Sequence, residues 1–174
     1  GSIDYVNDKI KSGDYLMLNQ FANPDNPRAH FETTGPEVWR DTNGQITHFV
    51  ASMGTTGTIM GTSRFLKTKN NSIKIIGVQP QEGDNIPGIR KWPEAYVPKI
   101  YNPAGADDIR FVSAQNARDM SRRLSKEEGI FAGMSSGGAA FVALRLAQGI
   151  DRGTIVFIVC DRGDRYLSSD LFDK

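Results

Sequence analysis

The chain has 174 residues, 39% of them hydrophobic and 24% charged, which suits a soluble domain with a sizeable core. A formal net charge of +1 gives no basis for binding nucleic acid or a membrane surface, and no apolar run approaches a membrane span. One cysteine, Cys160, excludes an intrachain disulfide and fits a reducing cytoplasm, and the opening "GSIDYVNDKI" has no apolar signal-peptide core.

In chain order, residues 3–12 read as a helix ending near Ser12-Gly13, and "YLMLNQ" (15–20) as a short strand. "NPDNPRAH" is rich in turn formers, with Pro27 suited to a first helical turn. "TTGPEVWRDTNG" starts a second helix near Pro36 and stops it at Asn43-Gly44. "ITHFVAS" (46–52) reads as a buried strand, and "TIMGTSRFLKTK" (58–69) as a helix with Ile59, Phe65 and Leu66 at helical spacing. "IKIIGVQP" (73–80) is a second strand of the core. The stretch from Gln81 to Ala106, rich in proline and glycine, is too long for an ordinary connection and reads as a functional loop. "DIRFVS" (108–113) is a third strand. The helix that follows takes Ser113 as its N-cap and Gly129 as its stop. "SSGGAAFVALRLAQG" (135–149) is a turn and helix, and "TIVFIVCD" (154–161) reads as the most buried strand of all. Strands separated by helices predict an α/β three-layer sandwich, a mostly parallel sheet with helices on both faces. Ligands of such sheets sit beyond the carboxyl ends of the strands.

Two turns fall at such ends. Gly54-Thr55-Thr56-Gly57-Thr58 links a strand to a helix. Glycines there let backbone approach a ligand, the helix start offers free N–H groups, and three threonine hydroxyls add donors. That set suits a dianionic phosphate. It is no triphosphate loop, because no Gly-Lys-Ser/Thr follows, and no dinucleotide fingerprint, because the glycines fall at 54, 57 and 61. The plain alternative is a tight turn capped by Thr58. Ser135-Ser136-Gly137-Gly138 opens another helix, either as a simple cap or as a hydroxyl offered to a ligand heteroatom. Together the turns favour one ligand with a phosphate at one side and a ring nitrogen at another.

The stretches "TTGPE", "THFVASMGTTGTIMGTSRF", "GIFAGMSSGGA" and "CDRGDRYLSS" resemble, in order, the cysteine synthase family of fold-type II enzymes that use pyridoxal 5′-phosphate (PLP). "VQPQEGDNIPGIRKWP" (78–93), "CDRGDRYLSS" (160–169) and the Gly-Thr-Thr-Gly-Thr turn point to the B branch, O-acetylserine sulfhydrylase B, where the A branch has glycine third in that turn. The resemblance implies that Gly54, Thr55, Thr56, Gly57 and Thr58 hold the PLP phosphate and that Ser135 hydrogen-bonds the pyridine nitrogen. A neutral serine does not enforce ring protonation, which suits β-replacement. The implied reaction joins O-acetyl-L-serine to sulfide or thiosulfate, giving L-cysteine or S-sulfocysteine. Arg90 and Lys91 are either solvated cations or aids in drawing in an anionic second substrate. Lys91 stands where a second arginine is expected, so bidentate anion contact there is in doubt. Cys160 is either a small buried hydrophobe or part of that substrate's pocket. His48 reads as a packed core histidine, and Arg162, Asp164 and Arg165 as an ion-pair network. No metal site is expected.

The family's Schiff-base lysine lies in a segment resembling Asn-Pro-x-x-Ser-x-Lys-Asp-Arg. None of Lys9, Lys11, Lys67, Lys69, Lys74, Lys91, Lys99, Lys126 and Lys174 has that context. The expectation is a C-terminal half, inactive alone: residues 1–20 a helix and strand from a smaller domain, residues 21–174 the larger PLP-phosphate-binding domain. The other half of the enzyme would be its partner, and a homodimer its assembly. Competing expectations are another fold-type II PLP enzyme, such as a cystathionine β-synthase, or a Rossmann-like nucleotide-binding module without catalysis.

Overall fold

The computed structural model describes residues 1–172, the side chain of Ile3 excepted, so Lys174 lies outside the described residues. Four strands, β1 (Ile46–Ser52), β2 (Lys74–Pro80), β3 (Asp108–Val112) and β4 (Thr154–Phe157), form one sheet in the order β3-β2-β1-β4. Every pairing is parallel. The alternation of side chains makes two cores. Val50, Ile76 and Val78 face one layer with Ala139 and Val142, while Phe49, Ala51 and Ile75 face the other with Ile59 and Leu66.

Among the described residues six α-helices accompany the sheet: α1 (Ser2–Ile10), α2 (Asp25–Glu32), α3 (Thr34–Asp41), α4 (Gly57–Lys69), α5 (Ala114–Glu128) and α6 (Met134–Ala147). Helix α4 covers one face, with α2 and α3 packed against it, and α5 and α6 cover the other, so the sandwich has the three expected layers. The boundaries follow local chemistry. Asn43 (φ 49°) and Gly44 (φ 70°) turn the chain out of α3 in the left-handed region. The Ser113 hydroxyl accepts from the Asn116 N–H at 3.1 Å and starts α5, and Gly129 (φ 69°) ends it.

Three expectations are corrected. Residues 15–20 form no strand, so residues 1–20 hold a helix and an irregular segment. No strand lies alongside 15–20 among the described residues, and Leu16 stands 89% exposed. A strand needs a partner for its backbone groups, which propensity alone does not supply. The run from 154 is not the most buried strand. It is a half-buried, four-residue edge strand, while β1 and β2 take the centre. A continuous apolar run does not reveal a strand's place in the sheet. Thr58 is not the cap of α4, because Thr56 occupies that position.

The chain runs outward from β1 to β2 to β3, then returns through α5 and α6 to lay β4 on the other side of β1. The direction of winding therefore reverses between β1 and β4. That reversal opens a crevice beyond their carboxyl ends, where parallel α/β sheets bind ligands.

Candidate active site

The cradle begins where β1 ends. Met53 donates its N–H to the Val78 carbonyl at 3.0 Å, and the chain then leaves the sheet through Gly54–Thr58. Thr56 has φ 75° and ψ −3°, a left-handed conformation uncommon for a β-branched residue. It is 3% exposed, and its hydroxyl is buried without a hydrogen-bond partner. Thr56 thus joins a left-handed backbone to an unsatisfied buried hydroxyl at the open N-terminus of α4, and such outliers cluster at functional sites. The first-turn N–H groups of α4 add donors and the positive end of the helix dipole.

Ser135 reaches the same crevice from the other side of the sheet. It lies in the first turn of α6, 2% exposed, with Gly133 as the cap residue. The Ser52 hydroxyl at the end of β1 donates to the Ser135 carbonyl at 2.7 Å. Gly88 (φ 86°) ties the two turns together. A Cβ on Gly54 would lie 2.9 Å from the Gly88 carbonyl, and one on Gly88 would lie 3.2 Å from Ser135 Oγ. Only glycines at 54 and 88 let the loop pass this close.

That loop is laced to the cradle. The Arg90 N–H donates to the Met53 carbonyl at 2.9 Å, and Trp92 Nε1 donates to the Gly54 carbonyl at 2.8 Å. The Arg90 guanidinium stands over the Trp92 ring, 5.4 Å from its centroid, at the edge of an open cavity of about 660 Å³. Lys91 lines the same cavity but pairs with Glu82 at 3.7 Å and lies over Phe111. Both cations are exposed, so the sheet end has one cation near the cradle and one turned aside. Arg162 pairs with Asp164 at 3.1 Å on the surface, an exposed pair of little energetic weight.

Cys160 follows β4 at the reversal point, and the structure places it in the open rather than as a buried hydrophobe. It shares a recess of about 210 Å³ with His30, Thr34, Ser52 and Thr58. Its N–H donates to Ser136 Oγ at 2.9 Å. The thiol has an open side but is crowded by protein, and this desolvation pushes its pKa up. The hydroxyls of Ser135, Ser136 and Ser52 act the other way, while the charge of Asp161 adds to the rise. The thiol is thus held in its protonated form, which does not suit a nucleophile. His48 is half-buried in β1 with its Nδ1 2.8 Å from Thr47 Oγ1, a packed strand histidine.

His30 and Asn26 were not legible as site residues. Both sit in "NPDNPRAH", which reads as turn formers, yet their spacing of four puts them on one face of α2. Asn26 Nδ2 donates to Thr55 Oγ1 at 3.1 Å, and His30 Nε2 lies 3.2 Å from Thr58 Oγ1. Among the described residues no cluster of metal-ligating side chains occurs.

Residues 2–161 match a family model described as pyridoxal-phosphate dependent enzyme. The chain belongs to that family. It is 53% identical over 173 residues to cysteine synthase B of Pseudomonas aeruginosa, covering 99% of this chain and 58% of that protein. It is 51% identical over 174 residues to cysteine synthase B of Salmonella typhimurium, covering 100% of this chain and 57% of that one. A crystal structure of cysteine synthase from Entamoeba histolytica superposes with a TM-score of 0.92 at 39% identity, covering 100% of this chain and 54% of that chain. The chain thus spans somewhat more than half the length of the relatives it matches. The family's cofactor is PLP, and this assignment sets aside a Rossmann-like nucleotide module. The residues present fit the cofactor. The unpartnered Thr56 hydroxyl and the open α4 terminus suit its phosphate, and the buried, uncharged Ser135 suits its ring nitrogen.

Proposed function

We propose that this chain forms the cofactor-phosphate side of a cysteine synthase of the B type. The whole protein would be a transferase that replaces the acetate of O-acetyl-L-serine by sulfide or thiosulfate. The observation that carries this reading is the buried, unpartnered hydroxyl of left-handed Thr56, in a turn whose Gly54 meets Gly88, which itself lies against Ser135. The identity to cysteine synthase B supports the branch.

When bound, PLP supplies an electron sink for chemistry at the substrate's α-carbon. The chain's own part is binding, orientation and charge. Gly54, Thr55, Thr56, Gly57 and Thr58 would hold the phosphate through N–H and hydroxyl donors. Ser135 would meet the ring nitrogen without enforcing its protonation. Arg90 would attract an anionic second substrate from the open cavity, with Lys91 in a secondary place because Glu82 engages it. Cys160, held as a neutral thiol, would line the second-substrate side of the recess. The Schiff-base lysine is proposed to come from an N-terminal half of the same enzyme, to which residues 1–20 would also be joined, and residues 21–174 form the larger domain. A homodimer in the cytoplasm completes the proposal, and no helix among the described residues is long and apolar enough to cross a membrane.

The test is spectroscopic. Full-length protein should bind PLP with a visible absorption band that O-acetylserine shifts and sulfide restores. A band indifferent to O-acetylserine would remove the reaction, and no band would remove the cofactor site.

A further inference from the structure

Helix α2 packs on α4 more closely than ordinary side chains permit. A Cβ on Gly57 would collide with the Asn26 amide, and one on Gly61 with the Pro27 carbonyl. This close approach delivers two side chains of α2 to two hydroxyls of the cradle.

The direction of each hydrogen bond is the informative part. Asn26 Nδ2 donates to the Gln20 carbonyl at 2.7 Å and to Thr55 Oγ1 at 3.1 Å. A carbonyl can only accept, which sets the orientation of the amide. The Gly57 N–H also points to Thr55 Oγ1, at 3.4 Å. A threonine hydroxyl has two acceptor lone pairs and one proton. With both lone pairs of Thr55 addressed by donors, its proton is left to donate elsewhere.

His30 stands against Thr58, where its tautomer sets the direction. Its Nδ1 lies 2.9 Å from Thr34 Oγ1 and its Nε2 3.2 Å from Thr58 Oγ1. Burial keeps the ring neutral by lowering its pKa. A neutral ring has one donor and one acceptor. The two distances fit either tautomer, and only the Nε2–H form, with Nδ1 accepting from Thr34, leaves the Thr58 proton free.

We propose that α2 is the positioning element of the anion cradle: Asn26 donates to Thr55, and His30 in its Nε2–H tautomer donates to Thr58, so that both hydroxyl protons are presented outward to a bound phosphate. The assignment rests on the reading of the cradle as the PLP-phosphate site. Neither side chain touches the anion itself. They cut the cost of binding by arranging the donors beforehand.

The experiment compares apo-protein binding of PLP with that of pyridoxal, which lacks the phosphate. Wild type must bind PLP far more tightly than pyridoxal. Equal affinities would overturn the phosphate reading itself, and this inference with it. Given that preference, His30→Gln and His30→Asn decide the rest. The Gln amide can place a donor where Nε2 stands, while the Asn amide is too short to reach Thr58. His30→Asn should weaken PLP binding about tenfold, the value of one charge-assisted hydrogen bond, and His30→Gln by less than about threefold. Pyridoxal binding should be unchanged in both, and the His30→Asn penalty should vanish in a Thr58→Val background. Equal penalties for Asn and Gln, an equal loss for pyridoxal, or a penalty that persists without the Thr58 hydroxyl would each overturn the inference. If His30→Asn does not fold, Thr34→Val leaves His30 in place but frees its Nδ1. A selective loss of PLP affinity there supports the positioning role, and no loss refutes it.

Discussion

Replacing Thr56 by glycine should make the cofactor-free protein more stable and at the same time a poorer binder of PLP. The left-handed backbone at Thr56, φ 75°, costs an L-residue about 1–2 kcal/mol, and glycine removes that cost. The buried hydroxyl without a partner costs about 1–3 kcal/mol, which glycine also removes. Against this stand about 1 kcal/mol for the greater freedom of glycine when unfolded and about 1.5 kcal/mol for the lost burial of the two side-chain carbons, Cβ and Cγ2. The balance is a gain of about 1 kcal/mol, within a range from a loss of about 0.5 to a gain of about 2.5 kcal/mol. Urea unfolding of apo-protein would read it as a higher midpoint at unchanged slope. PLP titration should show affinity falling about tenfold, because the hydroxyl is a donor to the charged phosphate. Thr56→Val separates the two contributions, since it keeps the strain and removes only the orphan hydroxyl. An apo Thr56→Gly protein destabilised by more than about 1 kcal/mol would show that the conformation is not strained. Undiminished PLP affinity would show that the hydroxyl does not face the phosphate.

Other perturbations test other parts of the reasoning. Thr62 is fully buried in α4 with an unpartnered hydroxyl, so Thr62→Val should raise the thermal midpoint, by about 1 kcal/mol in stability, without touching PLP affinity. Gly61→Ala places a methyl into the Pro27 carbonyl and the His30 Cβ, forcing α2 from α4, and should cost about 1–3 kcal/mol in a urea melt. Ser113→Ala removes the cap that accepts from the Asn116 N–H and should cost about 1 kcal/mol by the same assay. Burial lowers the pKa of His30, and burial with the nearby Lys74 lowers that of His48. The unfolded chain therefore takes up protons near the usual value of 6.5, while the fold still resists them. Stability should be full above that value and fall as pH drops through the lowered folded values. His30→Gln should flatten the slope between about pH 7 and 5, and an unchanged slope would refute the assignment.

The layered α/β architecture was legible because its signals are local. The alternation in "ITHFVAS", the glycine stop at 129 and the Ser113 cap follow from residues a few places apart, and β1, α4 and α5 fall within a residue or two of expectation. The failures share a cause. "YLMLNQ" and "TIVFIVCD" have the composition of strands, but strand pairing and place in the sheet depend on partners far along the chain. The cradle was readable as a phosphate-type turn because glycine and threonine spacing encodes backbone approach. That Thr56 is its strained member, and not Thr58 its cap, depends on how α4 docks.

The sequence by itself therefore determined the class of fold, and it marked the Gly54–Thr58 turn and the Ser135 turn as the two strand-end turns on which the proposed site rests, since each is written in contiguous residues. Only the tertiary structure decided what surrounds them. Gly88 lies 34 residues from Gly54 and 47 from Ser135 in the chain, yet touches both turns. Asn26 and His30 reach Thr55 and Thr58 because Gly57 and Gly61 let two helices approach. Cys160 is open to the recess because β4 returns beside β1. The physical reason is common to all of these. Backbone propensity and turn chemistry act over a few residues, whereas hydrogen-bond direction and burial depend on which distant segments the packing brings into contact.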